Sequence, residues 1–319
     1  FHERFQVDGV PISDAMLGEL GELVIKAGEG MEDPPTEFEL MTALGLEFFL
    51  RMKCDIVVLE VGLGGRLDST NVIPAPEAAV ITNIGLEHTQ ELGNSRTLIA
   101  QEKSGIIKKG CSTVLYHQSG EVEDVVKAAC RQMESPLTVT APQTLEVLES
   151  NRDGQTFRYR GKGPYHISLL GPHQLYNAMT ALDTIWTLSH RGWKIEEQAV
   201  VQGLENAVWP ARLELVRRNP DILLDGGHNP QCMAALHDAL EELYPGKKMI
   251  FLTGVLGDKD YPDMINKILP LAKSFVTITP DSPRALSAQE LANYLHGLGV
   301  RADACETTQQ GIQQALALA

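Results

Sequence analysis

Asp55-Ile-Val-Val-Leu-Glu60-Val-Gly-Leu-Gly-Gly-Arg-Leu-Asp68-Ser-Thr-Asn71 is the stretch on which the reading of the fold turns. Residues 55–61 are apolar almost without interruption, and a glycine cluster ends them. So continuous a run does not suit a strand with one wet face; it predicts a strand buried on both sides, as in parallel sheets covered by helices. Glu60 inside that run is costly unless a cation or hydrogen bonds satisfy it. Loops beyond the carboxyl ends of parallel strands are where such sheets bind ligands, so Glu60 is a first candidate for chemistry. A strand-end glutamate paired with an arginine accounts for it equally well.

The flanks carry the same alternation. Upstream, Ser13 is placed to cap a helix with Leu17, Leu20, Val24 and Ala27 on one face, and Thr36 with Glu39 forms a capping box for a second helix that turns Leu40, Leu44 and Phe48 inward. Downstream, strands are expected at 78–84 and 112–116, with helices near 95–108 and 122–133. This order predicts an α/β domain with a mostly parallel sheet. From 137 to 170 the pattern becomes short alternating strands, such as 156–159 and 165–169 around Gly161-Lys-Gly-Pro164, which predicts a small antiparallel section. A helix entered by Pro172 follows, with Leu175, Met179, Leu182 and Trp186 on one face. Residues 207–213 break the periodicity around Pro210 and are read as a hinge. Beyond it, strands at 222–224, 249–253 and 275–279 alternate with a helix capped by Asn229, a helix near 264–269 and a helix opened by the Ser287 and Glu290 capping box. The expected domains are therefore 1–207 and a smaller Rossmann-like α/β domain over 208–319.

With 319 residues the chain is long enough for two domains. Its hydrophobic fraction of 43% and charged fraction of 22% are near globular averages, and no apolar run approaches the length needed to cross a bilayer. The formal charge of −15 argues against nucleic acid as a partner. Cys54, Cys111, Cys130, Cys232 and Cys305 are odd in number and scattered, which fits a reducing cytoplasm better than a disulfide framework or a zinc site. The chain starts at Phe1 rather than Met and is expected to be cut short there.

Further candidates lie at the same kind of position as Glu60. Gly85-Leu-Glu-His88-Thr89 follows the expected strand 78–84, and Gln101-Glu-Lys103-Ser-Gly-Ile-Ile107 places Lys103 on a face shared with Ile99. Taken singly, a lone histidine is more often structural and a helix lysine more often solvated. Asp225-Gly-Gly-His228-Asn-Pro230 sets an acid and a histidine between a strand and a helix N-terminus, a natural anion or ribose site, although a well-capped helix explains it too. Trp209-Pro-Ala-Arg212-Leu-Glu214 puts an arginine at the hinge, where its fork could grip a phosphate or simply meet water. A dinucleotide fingerprint fails at Leu67, and neither Gly161-Lys162-Gly163 nor Gly246-Lys247-Lys248 makes a Walker A loop.

Together with Phe1-His-Glu-Arg-Phe-Gln-Val-Asp-Gly9 and Gly171-Pro-His-Gln-Leu-Tyr-Asn177-Ala178, these segments resemble, in order, the folylpolyglutamate synthase and dihydrofolate synthase group of the Mur ligase family. The resemblance implies a Mur ligase central-type ATPase domain over 1–207 that lacks its upstream phosphate-binding loop, and a glutamate-ligase domain over 208–319 that stops before its closing strand. It implies an ATP-dependent ligase that activates a carboxylate of folate or dihydropteroate as an acyl phosphate and joins it to L-glutamate. Glu60 and His88 would be magnesium ligands, with two ions expected beside the triphosphate. Lys103 would carry a carbamate, turning a cation into an anion. Asn177, Arg212 and Asp225 would surround ATP, His228 would lie near the γ-phosphate and incoming glutamate, and Ser282 and Arg284 are weaker candidates for the amino acid. Glu87 stands where the family more usually has aspartate. A cytoplasmic monomer with no membrane or nucleic-acid partner is expected; a peptidoglycan Mur ligase or a noncatalytic nucleotide-binding fragment are the alternatives.

Overall fold

The structure is a computed structural model and describes residues 1–118 and 120–319. The chain opens with strands β1 (Gln6–Val7) and β2 (Val10–Pro11), an antiparallel pair. Helix α1 (Asp14–Gly28) starts where the Ser13 hydroxyl accepts the Met16 N–H at 3.3 Å. Helix α2 (Glu37–Arg51) starts at a complete capping box: the Thr36 hydroxyl accepts the Glu39 N–H, and the Glu39 carboxylate accepts the Thr36 N–H at 2.7 Å. The capping box also holds the Glu39 carboxyl below its usual range, through the Thr36 backbone bond first and its hydroxyl second. The two helices close over a core of Phe5, Ile12, Leu20, Leu44 and Phe48.

Strand β3 (Ala78–Ile81), helix α3 (Thr89–Leu92), helix α4 (Arg96–Ser104), strand β4 (Ser112–Leu115), helix α5 (Glu121–Gln132) and strand β5 (Leu137–Val139) follow, and the three strands form a sheet in the order β3-β4-β5. Next come β6 (Leu145–Asn151), β7 (Gly154–Tyr159) and β8 (Lys162–Ile167), which make the expected antiparallel sheet. Helices α6 (Pro172–His190) and α7 (Glu197–Glu205) pack on it through Leu175, Met179, Leu182 and Leu204 against Phe157, Tyr159, Tyr165 and Ile167. Asp183, only 2% exposed, is tolerated in that core because it accepts the Tyr159 hydroxyl at 2.7 Å and the Arg160 guanidinium at 2.9 Å.

Strands β9 (Glu214–Arg217) and β10 (Ile222–Leu224) form an antiparallel hairpin, so the segment expected to continue the parallel alternation pairs locally instead. Helix α8 (Pro230–Leu243), strand β11 (Met249–Thr253), helix α9 (Tyr261–Ile268), strand β12 (Ala272–Thr277), helix α10 (Ala288–Gly297), strand β13 (Ala302–Ala304) and helix α11 (Thr308–Leu318) complete the chain. Strands β11, β12 and β13 are parallel, and the capping box of Ser287 and Glu290 opens α10 as expected. The fold class is thus α/β with parallel strands and an antiparallel section.

Two compact units emerge, residues 1–113 with 118–137, and residues 114–117 with 138–319. The second unit takes in the antiparallel sheet and α6, which the division at 207/208 had assigned to the first domain. Its cohesion is physical: Leu170 shares a core with Leu213, Ala239, Leu240, Tyr244 and Leu271, and a Cβ on Gly171 would stand 2.9 Å from that of Ala239.

Residues 55–61 depart most from expectation. Among the described residues they pair with no strand, and Val58 is 91% and Ile56 46% exposed. An extended apolar segment becomes a buried strand only when another chain segment offers its N–H and C=O groups, and none here does so. Strand β3 is also shorter than expected. Beyond Ile81 the Gln118 carboxamide takes the sheet's place, donating to the Thr82 carbonyl at 3.0 Å and accepting the Ile84 N–H at 2.8 Å.

Candidate functional site

In the first unit the glycine-rich loop after Glu60 is welded to the helix that carries Lys103. The Arg66 N–H donates to the Glu102 carbonyl at 2.9 Å, and the Arg66 guanidinium grips the Glu102 carboxylate with Nη2 at 3.1 Å. Gly65 lies so close to α4 that a Cβ there would stand 3.0 Å from the carbonyl oxygens of both Glu102 and Lys103. Asn71 donates to the carbonyls of Arg66 and Gly105, and the Lys108 amine donates to those of Asn71 and Ile73. The Asp68 carboxylate curls the loop by accepting the N–H groups of Leu63 at 2.8 Å and Thr70 at 3.0 Å.

The same loop touches the third motif. A Cβ on Gly64 would meet Leu92 at 3.0 Å, and Leu92 ends the short helix α3 whose N-cap is His88. His88 takes a left-handed conformation with φ 50° and ψ 42°, a region costly for a residue with a side chain. Three segments singled out from the sequence, after Glu60, at His88 and around Lys103, are therefore neighbours. Glu60 and His88 are exposed and Lys103 is half-buried. The arginine nearest to Glu60 in sequence goes to Glu102 instead, so the bland pairing for Glu60 is not the one adopted. No group of three His, Cys, Asp or Glu side chains able to hold a metal occurs among the described residues.

Two residues that the motifs did not point to hold the approach to His88. Gln118, 4% exposed, fixes residues 82–84 as described, and the Arg96 guanidinium donates to the Ile84 carbonyl at 3.0 Å. Their distance in sequence from His88 left no local signal.

In the second unit the hinge arginine and the acid and histidine motif form one interlocked piece. Asp225 accepts the Leu213 N–H at 3.0 Å on one oxygen and the Gly227 N–H at 2.8 Å on the other. The Gly226 N–H donates to the Ala211 carbonyl at 2.7 Å. The Gly226 carbonyl faces His228 Nδ1 at 3.0 Å; a carbonyl only accepts, so Nδ1 carries a proton there, and the residue is exposed. Asn229 caps α8 by accepting the Cys232 N–H at 2.7 Å, with Pro230 in the first turn.

Asn177 lies exposed on α6 and donates to the side-chain amide oxygen of Gln174 at 3.0 Å. His173, one turn earlier, has Nδ1 buried without a partner, and burial lowers its pKa from 6.5, with Asp225 opposing and Arg212 assisting that shift. Sequence reasoning quoted His173 within a motif but gave it no part. Ser282 and Arg284 sit on the loop after β12, beside the loop after β11: Arg284 pairs with Asp258 at 2.7 Å, and its carbonyl accepts the Gly257 N–H at 2.7 Å. Both loops extend from carboxyl ends of parallel strands, the expected side for a ligand.

The Mur ligase middle domain matches residues 12–185, and the Mur ligase glutamate ligase domain matches residues 211–319. A dihydrofolate synthase/folylpolyglutamate synthase of Bacillus subtilis (strain 168) is 33% identical over 91% of this chain and 70% of its own length. The chain belongs to the folylpolyglutamate and dihydrofolate synthase branch of the Mur ligase family. Within that branch, a folylpolyglutamate synthase of Lacticaseibacillus casei is 34% identical over 90% of the chain and 69% of the relative. Among solved structures, the Mycobacterium tuberculosis folylpolyglutamate synthase complexed with ADP and AMPPCP superposes with a TM-score of 0.87 at 30% identity, covering 99% of this chain and 75% of that one. E. coli FolC in complex with DHPP and ADP gives 0.86 at 25% identity, over 99% and 73%. In this Mur ligase Glu60, His88, Lys103 and Asn177 fall in the middle-domain match, and Arg212, Asp225, His228, Ser282 and Arg284 in the glutamate-ligase match.

Proposed function

We propose that this Mur ligase is an ATP-dependent ligase that adds L-glutamate to folates, with dihydropteroate as a second acceptor. The observation that carries this reading is the 33% identity with the Bacillus subtilis dihydrofolate synthase/folylpolyglutamate synthase over 91% of the chain. The stretch up to about residue 207 is assigned ATP binding, and 208–319 the joining of glutamate. The complexes of the M. tuberculosis neighbour with ADP and AMPPCP and of the E. coli neighbour with DHPP and ADP support the nucleotide.

The assigned roles follow from what each side chain offers. The Arg212 fork suits a phosphate, and Asn177, exposed one face of α6 away from the core, suits the nucleotide's polar edges. His228 turns Nδ1 toward the Gly226 carbonyl, so Nε2 is the ring nitrogen assigned to meet the amine of the incoming glutamate. Asp225 holds the loops of Arg212 and His228 together and keeps spare lone pairs for a ribose hydroxyl. Glu60 and His88 would hold magnesium, which when bound offsets charge on the transferred phosphoryl group. Lys103, half-buried at the end of α4, is the lysine assigned a carbamate. Ser282 and Arg284 are assigned to the glutamate carboxylates, and the ligase is taken as a cytoplasmic monomer.

Incubating the ligase with ATP, magnesium and labelled glutamate, with tetrahydrofolate and dihydropteroate in parallel, should give ATP-dependent incorporation and stoichiometric ADP. Absence of incorporation with both acceptors rejects the proposal. Lys103→Ala is expected to abolish incorporation, and added bicarbonate is not expected to restore it; turnover like wild type by that variant removes the carbamate role while leaving the ligase assignment standing.

A further inference from the structure

Arg212 is flanked by two residues in a conformation that side chains avoid. Ala211 has φ 57° and Leu213 φ 50°, so the arginine sits between two left-handed residues, neither of them glycine or asparagine. Such backbone persists only where its surroundings over-determine it. Here two carboxylates do so. Glu214 accepts the Ala211 N–H at 2.9 Å, and Asp225 accepts the Leu213 N–H at 3.0 Å. The Gly226 N–H closes the arrangement on the Ala211 carbonyl at 2.7 Å. Leu213 is buried in the core with Leu170 and Ala239, so one end of the turn is pinned by packing. The other end, at Ala211, is only half-buried, and a side chain holds it through the hydrogen bond that its N–H donates to Glu214.

We propose that Glu214 is a positioning residue: by anchoring Ala211 in its left-handed turn it sets the direction of the Arg212 guanidinium toward an anionic phosphate ligand. Asp225 does the same from the Leu213 side, and this adds to its proposed contact with the nucleotide. The inference rests on the assignment of Arg212 to ATP made above. The bond from Glu214 spans only three residues on the surface, so its loss should leave the fold largely intact while freeing the arginine to sample other directions. A guanidinium that must be ordered on binding gives up part of the gain from a charge-assisted contact.

The test is a mutant cycle read by ADP binding in the presence of magnesium, by calorimetry on the ligase. Glu214→Ala should weaken ADP by at least about tenfold, the scale of one lost charge-assisted contact. Glu214→Gln should stay within about threefold, because its amide oxygen still accepts the Ala211 N–H. Arg212→Ala should weaken ADP at least as much, and Glu214→Ala added to it should bring no further loss, since Glu214 acts only through Arg212. Additive losses, or binding like wild type by Glu214→Ala while Arg212→Ala binds poorly, overturn the role of Glu214 and leave the nucleotide assignment standing. Unchanged binding by Arg212→Ala overturns both. If Glu214→Ala does not fold, Ala211→Gly combined with it supplies the check: glycine makes the turn permissible without anchoring it, so the double variant should fold and still bind ADP weakly. Affinity like wild type in that variant overturns the proposal.

Discussion

His173 lies in the first turn of α6 with its Nδ1 buried and its Nε2 3.3 Å from the Gln174 amide nitrogen. That nitrogen donates, so Nε2 is the acceptor and Nδ1 carries a proton that meets no partner. Burial, more than the nearby Arg212, lowers the pKa from 6.5. Above that value both folded and unfolded chains hold the ring neutral and its contribution to stability is complete. As pH falls below it, the unfolded chain takes up the proton first, so stability is lost from there down toward the lowered folded value. His173→Asn should therefore flatten the fall in thermal midpoint between about pH 7 and about pH 5, where imidazoles titrate; parallel profiles for variant and wild type would dismiss the effect. At this scale the sequence was informative about which segments meet: the stretch around Arg212 and the one from Asp225 to His228 do interlock through Ala211, Leu213, Asp225 and Gly226. It was silent on Gln118, whose partners Thr82 and Ile84 are remote in sequence, and on His173 and Glu214, whose parts depend on a burial and a left-handed turn that the residue pattern does not reveal.

The contact between the loop of residues 62–66 and α4 belongs to the elements rather than to any one side chain. Gly105 ends α4 in an ordinary right-handed conformation, so its backbone would accept any residue. What requires glycine is space: a Cβ there would stand 2.3 Å from that of Arg66 and 2.5 Å from its Cα. Gly105→Ala should push the loop away from Lys103 and cost about 1–3 kcal/mol, as overpacking typically does, measured by urea unfolding. A loss under about 0.5 kcal/mol, the usual range for uninvolved surface sites, would show that loop and helix are not in contact. Elements whose signals are local were readable in advance. The Ser13, Thr36 and Ser287 caps and the Asn229 cap with Pro230 all form as spacing dictates, since each partner lies within three residues. The end of β3 was not readable, because Gln118, remote in sequence, supplies the hydrogen bonds that a longer strand would have taken.

At the scale of the whole chain, residues 55–61 show where an apolar pattern does not become a buried strand among the described residues. Their composition describes a strand buried on both faces, yet burial is a property of a pair, and the pattern does not say which segment completes it. Val58 and Ile56 stand exposed beside a cleft of about 340 Å³ lined by Phe49, Met52 and residues 53–58. Exposed apolar surface of that kind, with unpaired backbone groups, binds hydrophobic probes readily. The chain's formal charge of −15 works against self-association by mutual repulsion. A polypeptide of residues 1–319 should consequently enhance the fluorescence of an anilinonaphthalene dye while retaining a cooperative thermal transition. Val58→Lys should cut that enhancement and shift stability by no more than about 0.5 kcal/mol, since the valine loses no burial. A large drop in thermal midpoint, with dye binding unchanged, would mean that Val58 is packed inside a sheet after all.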